Sequence, residues 1–286
     1  MPARRLSVGL CVILMFFTVA LFGVRTLAVA ETEKELYSFG TNGKDGAYPV
    51  TGLIFDGSGN LYGTTVYGGA YGAGTVFELA HKASTGWTEK VSHSFGHGKD
   101  GALPRAGLII DAAGDLYGTT IDGGADSLGT VFELTPKADG KWAEKVLHSF
   151  NGKDGEYPDA GLIFDHAGNL YGATQKTIFE LVRTAAGGWT EKVLYKSGST
   201  ASLIFDGAGK LYGTTAEGGS SDYGTVFELT RDAGGTWTYT TLFDFLGGIF
   251  GAYPYAGLTP GASGNMYGTT YEGGAYNLGI VFEMKP

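Results

Sequence analysis

The chain has 286 residues, of which 50 are Gly, and carries 29 Asp and Glu against 20 Lys and Arg. Gly this frequent excludes helical bundles and coiled coils, because each Gly inside a helix costs about 1 kcal/mol. A 43% hydrophobic share excludes a disordered chain, and the surplus of acids repels phosphate backbones and so excludes nucleic acid as a partner.

Arg4 and Arg5 precede a nearly unbroken apolar run from Leu6 to Val24, and Ala28-Val29-Ala30 has small residues where a signal peptidase needs them. The pattern predicts a signal peptide over residues 1–30, cut after Ala30. An anchor retained uncut is the alternative. The mature chain, residues 31–286, is then secreted to the periplasm, the cell surface or the medium. Cutting removes Cys11, the one cysteine, and three arginines, leaving 17 Lys and Arg against the 29 acids. The exported chain is expected to hold together without disulfides. No later segment is long and apolar enough to span a membrane.

From residue 53 onward one unit recurs five times. Leu53 to Thr65 returns at Leu108 to Thr120, at Leu162 to Thr174, at Leu203 to Thr215 and, degenerate, at Leu258 to Thr270. A Tyr-Gly pair marks each copy, at Tyr62, Tyr117, Tyr171, Tyr212 and Tyr267. A second apolar run follows in each (Val76-Phe77-Glu78-Leu79 in the first), and a Trp-led run follows in four, at Trp87, Trp142, Trp189 and Trp237. These runs are short, rich in aromatic and β-branched residues, and bounded by Gly, Asn or Asp, which predicts strands joined by tight turns. Four strands in about fifty residues is the signature of a propeller blade. The expected fold is therefore all-β: a five-bladed β-propeller with four antiparallel strands per blade.

The ends of the chain suggest how the ring closes. The fifth copy stops at Pro286 without a Trp-led strand. Thr32-Glu33-Lys34-Glu35-Leu36-Tyr37-Ser38-Phe39 aligns with the fourth strand of the first copy, Thr88 to Phe95. Pairing the N-terminal strand with the last blade would satisfy both open edges.

The repeated block Leu-x-x-Asp-x-x-Gly-Asn-Leu-Tyr-Gly-Thr-Thr-x-x-Gly-Gly, followed by Gly-Thr-Val-Phe-Glu-Leu, resembles the GloVer repeat of bacterial exported proteins. Copies one, two and four carry it nearly in full. Copy three lacks the Gly-Gly segment, and copy five has Gly261 in place of the Asp. The resemblance implies export and a repeat architecture, and it transfers no catalytic residue.

Chemistry has to be sought outside what repeats. The Asp at 56, 111, 165 and 206 are read as hairpin caps. The Glu at 78, 133, 180, 228 and 283 are read as partners of Lys90, Lys145, Lys192 or Lys34 on the neighbouring strand. The Lys-Asp-Gly triplets at 44–46, 99–101 and 153–155 are read as blade-to-blade turns. The five His form no ligand motif, so neither a metal nor a cofactor is expected.

The variable Gly-Gly loop shares a face with the loop that carries the Pro. That face gathers Tyr67, Tyr71, Tyr223, Tyr255 and Tyr276 with Asp122, Asp126, Glu217, Asp222 and Glu272, rings and carboxylates suited to a sugar. Blades three and four have shortened loops there, which predicts a notch. The expected function is binding without catalysis, of polysaccharide or another cell-envelope component such as an envelope protein. A protein-interaction scaffold is the alternative. A glycoside hydrolase or lyase is a further one, resting on Glu156 and Asp159.

Overall fold

The computed structural model describes residues 34–40, 43–82, 84, 86–196 and 201–286. The expected signal peptide and residues 31–33 lie outside the described residues. Each repeat folds as one antiparallel sheet with its strands in chain order. Sheet 1 consists of Ile54–Phe55, Leu61–Thr65, Thr75–Lys82 and Gly86–Ser94. Sheet 2 consists of Ile109–Ile110, Leu116–Thr120, Thr130–Pro136 and Trp142–Ser149. Sheet 3 (Ile163 to Lys196) and sheet 4 (Ile204 to Asp244) repeat that plan. Sheet 5 has three strands, Thr259–Pro260, Met266–Thr269 and Val281–Met284. Among the described residues no helix is long and apolar enough to cross a membrane.

The turn between the first two strands is built by the Asp. Asp56 Oδ1 accepts the backbone N–H of Ser58 at 2.8 Å and of Asn60 at 2.9 Å, and Gly59 takes the positive φ that the reversal requires. Asp111, Asp165 and Asp206 make the same pair of bonds. In sheet 5 Gly261 stands in that place, and the turn is held by backbone bonds, from Gly261 N–H to Asn265 at 2.7 Å and from Gly264 N–H to Gly261 at 3.3 Å.

The Tyr-Gly pair has two separate causes. A Cβ on Gly63 would lie 2.7 Å from both the Phe77 ring and the Leu53 side chain. Only Gly lets the Phe of the third strand lie flat across the second, and Gly118, Gly172 and Gly213 repeat the arrangement. The Tyr points away into the seam with the next sheet, where its hydroxyl donates to the Glu of the third strand: Tyr117 to Glu133 at 2.7 Å, Tyr171 to Glu180 at 2.6 Å and Tyr212 to Glu228 at 2.8 Å. This corrects the expected Glu–Lys pairing. The register does set Glu78 opposite Lys90 and Glu133 opposite Lys145. Yet Lys90 and Lys145 reach the carbonyls of Gly140 and Gly187 in the following sheet. Glu180 does meet Lys192, at 3.7 Å.

The core is a series of seams between successive sheets. Tyr62, Val76 and Phe95 pack against Leu108, Leu116, Phe132 and Leu134 of sheet 2. Equivalent positions make the seams between sheets 2 and 3 and between 4 and 5, and, without the Phe95 counterpart, between 3 and 4. Phe95 meets Phe132 at 5.0 Å, Phe150 meets Phe179 at 5.2 Å and Phe245 meets Phe282 at 5.3 Å, all edge to face. Leu36, Tyr37 and Phe39 pack on Leu61, Phe77 and Leu79 of sheet 1, with Phe39 at 5.0 Å from Phe77. The N-terminal segment thus occupies the place that a preceding fourth strand would take. Among the described residues its expected pairing with sheet 5 is not seen: residues 34–40 belong to no strand, and Val281 is 79% exposed where its counterparts Val76, Val131, Ile178 and Val226 are fully buried.

Candidate functional site

The loops that lead into the first strands converge. Gly161 N–H donates to Ser202 Oγ at 3.4 Å, and a Cβ on Gly257 would lie 2.8 Å from the Ser202 carbonyl. Sheets 3, 4 and 5 therefore meet where their first strands begin. Each long lead-in loop is pinned by a non-Gly residue with positive φ just before its Pro: Tyr48, Leu103, Tyr157 and Tyr253. Leu103 N–H donates to Ala73 of the preceding repeat at 2.8 Å, and its carbonyl accepts from Ile121 of its own repeat at 3.3 Å. Tyr253 does the same between Tyr223 and Tyr271. A left-handed residue costs about 1–2 kcal/mol, and here it sets two backbone bonds that clamp one repeat to the next.

The Gly-Gly loops join the same face, as expected. Gly46–Ala47 pairs with Tyr67–Gly68, and Gly101–Ala102 pairs with Asp122–Gly123. Ala252 forms a bridge with Glu272. Two cavities open on this face. One, of about 480 Å³, is lined by Tyr48, Val50, Val66, Tyr67, Arg105 and Asp159. The other, of about 250 Å³, is lined by Asp159, Ser202, Tyr255 and backbone around Ala216 and Gly257. The second is lined by residues of repeats three, four and five. Asp159 belongs to both, so residues from all five repeats surround one carboxylate. Desolvation raises the Asp159 carboxyl above the usual carboxylate range, and the Arg105 guanidinium partly offsets the rise.

Of the ten residues named from sequence, Tyr67 and Tyr255 line these cavities. The Tyr67 ring meets Tyr48 edge to face at 5.8 Å, and Tyr255 stacks beside Tyr253 at 6.4 Å. The others lie apart. Tyr71 leans over His97 at 5.2 Å in a separate groove. Tyr223 is half-buried against Tyr253 and serves the core. Asp122 and Asp222 accept the N–H groups of Gly123 and Gly218, both at 2.7 Å, and so shape their own loops. Glu272 is half-buried beside its bridge, while Asp126, Glu217 and Tyr276 are exposed on the loops. Sequence reasoning missed Tyr48, Val50 and Arg105. A signal for the centre was present: the residue after the Pro is Val50, Arg105, Asp159 and Tyr255, a different type in each copy of an otherwise repeated segment.

The sequence signature of the Gloeobacter/Verrucomicrobia repeat matches residues 24–195, more than half of the chain. The chain belongs to the Gloeobacter/Verrucomicrobia repeat family. No curated protein matches this repeat protein in sequence. Among solved structures it is similar to a streptogramin B lyase, at 16% identity and a TM-score of 0.51, over 88% of this chain and 72% of that one. It is also similar to a protein from Lactobacillus plantarum, at 16% identity and a TM-score of 0.51, over 77% and 63%. A gluconolactonase from Xanthomonas campestris aligns at 15% identity and a TM-score of 0.49, over 82% and 71%.

The likenesses to the lyase and to the Lactobacillus plantarum protein give the Gloeobacter/Verrucomicrobia repeat protein a propeller-like fold. They also correct the expectation that it is not an enzyme. The streptogramin B lyase is an enzyme by name, so an all-β repeat architecture of this kind is no ground for excluding catalysis.

Proposed function

We propose that this repeat protein is exported and binds a polyhydroxylated ligand, polysaccharide of the cell envelope in the first instance, at the convergence of its lead-in loops. The observation that carries the reading is the ring of Tyr48, Tyr67, Arg105, Asp159 and Tyr255 around two adjoining cavities. Tyrosine faces stack on sugar C–H surfaces. A carboxylate and a guanidinium hydrogen-bond vicinal hydroxyls from opposite sides. With this goes the proposal that five blades close into a ring through the N-terminal strand.

The test is binding to a panel of polysaccharides by the parent and by Tyr67→Ala, Tyr255→Ala and Asp159→Asn, with Tyr276→Ala as control. Loss of affinity in the first three and not in the control supports the reading. Equal binding by all four variants places the ligand elsewhere, and no binding by the parent sinks the reading. A second reading, turnover of the bound ligand, has its own support in the raised Asp159 carboxyl, the state in which a carboxyl serves as general acid. Product release that Asp159→Asn abolishes while binding persists distinguishes it. Export is tested by sequencing the mature N-terminus, which should begin at Glu31.

A further inference from the structure

Away from the loop centre, the seam between sheets 2 and 3 holds three ionisable side chains that the preceding reading does not use. His148 lies on the fourth strand of sheet 2, Asp154 in the Lys-Asp-Gly turn that follows, and Glu191 on the fourth strand of sheet 3, Trp189–Lys196. One ligating atom from each lies within 4.8 Å of the other two, and His148 Nε2 is 3.2 Å from Asp154 Oδ2. Among the described residues no other set of three His, Cys, Asp or Glu comes this close.

Glu191 Oε1 is buried without a hydrogen-bond partner, and the buried His148 Nε2 has only Asp154 Oδ2 beside it, at 3.2 Å. A buried polar atom left unpaired costs about 1–3 kcal/mol, and here the Glu191 carboxylate lies within 4.8 Å of an imidazole nitrogen and a second carboxylate. The other contacts are already satisfied and hold the group in place. Asn151 donates to both oxygens of Asp154, at 2.9 Å from its backbone and 2.5 Å from its side chain. Thr177 Oγ1 donates to the Asp154 carbonyl at 2.7 Å. The His148 ring is held edge to face by Phe150 at 4.8 Å.

The seams themselves show that packing does not require these charges. Between sheets 3 and 4 the equivalent strand positions are Tyr195 and Tyr239, whose rings stack at 3.8 Å and 7°. Apolar or aromatic filling of a seam is usually no worse than buried charge. Two carboxylates facing each other across a seam need a counter-charge or a shared proton.

We propose that His148, Asp154 and Glu191 bind a divalent cation of the Zn²⁺ or Mn²⁺ type, which fastens sheet 2 to sheet 3. One imidazole nitrogen with two carboxylate oxygens suits such borderline ions better than Ca²⁺, which prefers an all-oxygen shell. Water completes the coordination from the solvent side. Asn151 orients the Asp154 ligand as an outer partner. The preceding seam has His93 and Asp100 at 3.3 Å, but Glu144 does not close on them to form a comparable set.

The experiment is calorimetric titration of the untagged, metal-stripped chain with Zn²⁺ and separately with Mn²⁺, together with thermal melts. The expected result is one saturable site per chain and a raised Tm with the ion. His148→Ala and Glu191→Gln each weaken binding by more than the roughly 10–100-fold that loss of an outer partner costs. His93→Ala binds as the parent does. Glu191→Gln keeps the side-chain shape, so it reports even if His148→Ala fails to fold. Co²⁺ titration of the parent adds a visible spectrum of nitrogen and oxygen ligation. No binding by the parent, or binding undiminished in Glu191→Gln, overturns the proposal; a carboxyl pair sharing one proton then accounts for the seam.

Discussion

At the scale of the residue, the repeated tyrosine shows how a side chain that looks decorative organises a seam. Tyr171 is buried, and its hydroxyl donates to Glu180 at 2.6 Å and lies 3.3 Å from Asp165. Glu180 is 1% exposed, with Lys192 and Arg231 each 3.7 Å away. Removing the hydroxyl leaves a buried carboxylate short of a donor. Tyr171→Phe should therefore lower stability by about 1–3 kcal/mol in urea unfolding. The neighbouring position tests the other half of the pair. A Cβ at residue 172 would lie 2.6 Å from the Phe179 ring, so Gly172→Ala should cost a further about 1–3 kcal/mol through overpacking. Equal stability of both variants with the parent would remove the physical account of why Tyr and Gly travel together. The sequence made the Asp turns legible, because an Asp three residues before a Gly and five before the next strand can do little else. It did not reveal the Tyr–Glu bond. That bond depends on which face of the second strand turns to the next sheet, and cross-strand register alone had pointed to Lys.

At the scale of the element, the fourth strands decide the seams, and their carboxylates were silent in the sequence. Glu89, Glu144 and Glu191 each follow a Trp by two residues and look like surface acids. Only stacking of one sheet on the next brings them against the Lys-Asp-Gly turns. Glu144 illustrates the consequence. It shares a groove with Asp100, His93, Glu89 and Lys99, its Oε1 is buried and unpartnered, and burial together with the Asp100 charge raises it to about 7. A carboxyl raised in the folded state favours folding while protonated. Its contribution is unfavourable once pH passes from the ordinary Glu range to above about 7. In metal-free buffer, Glu144→Gln should match the parent near pH 4 and exceed it near pH 8. The full shift would convert to roughly 3 kcal/mol, and the partial exposure of the side chain reduces the expected gain to about 1–2 kcal/mol. Chemical denaturation of the two proteins at both pH values reads this difference. His93 titrates with the opposite sign in the parent and the variant alike, so the comparison isolates Glu144. A gain that is the same at pH 4 and pH 8 would show that the carboxyl is not strained by burial.

At the scale of the whole molecule, the repeats leave two faces uncovered, and these faces match each other. Each formed seam sets a Tyr and a Val or Ile of one sheet, and in three of the four a Phe as well, against Leu, Phe and Leu or Met of the next. Sheet 5 leaves Tyr267 39% and Val281 79% exposed, while on sheet 1 Leu53 is 47% exposed. Phe39 is already seated on Phe77 as Phe95 is on Phe132. Closure would repeat, a fifth time, a contact the chain makes four times. Burying each large apolar side chain in it contributes about 1.5–3 kcal/mol. The register of the other sheets fixes the pairing. Val76 faces His93 and Glu78 faces Lys90, so Val281 should face Tyr37 and Glu283 should face Lys34. A chain carrying Tyr37→Cys and Val281→Cys, with Cys11→Ser, should form an intramolecular disulfide under mild oxidation, since paired strands bring Cα atoms to about 4.5–5.5 Å. Moving one partner to Glu35→Cys should abolish the bond, because that residue lies off register. Disulfide-linked dimers in place of the internal bond would mean that the free face of sheet 5 is covered by another copy, and the N-terminal strand would then not be what completes the ring.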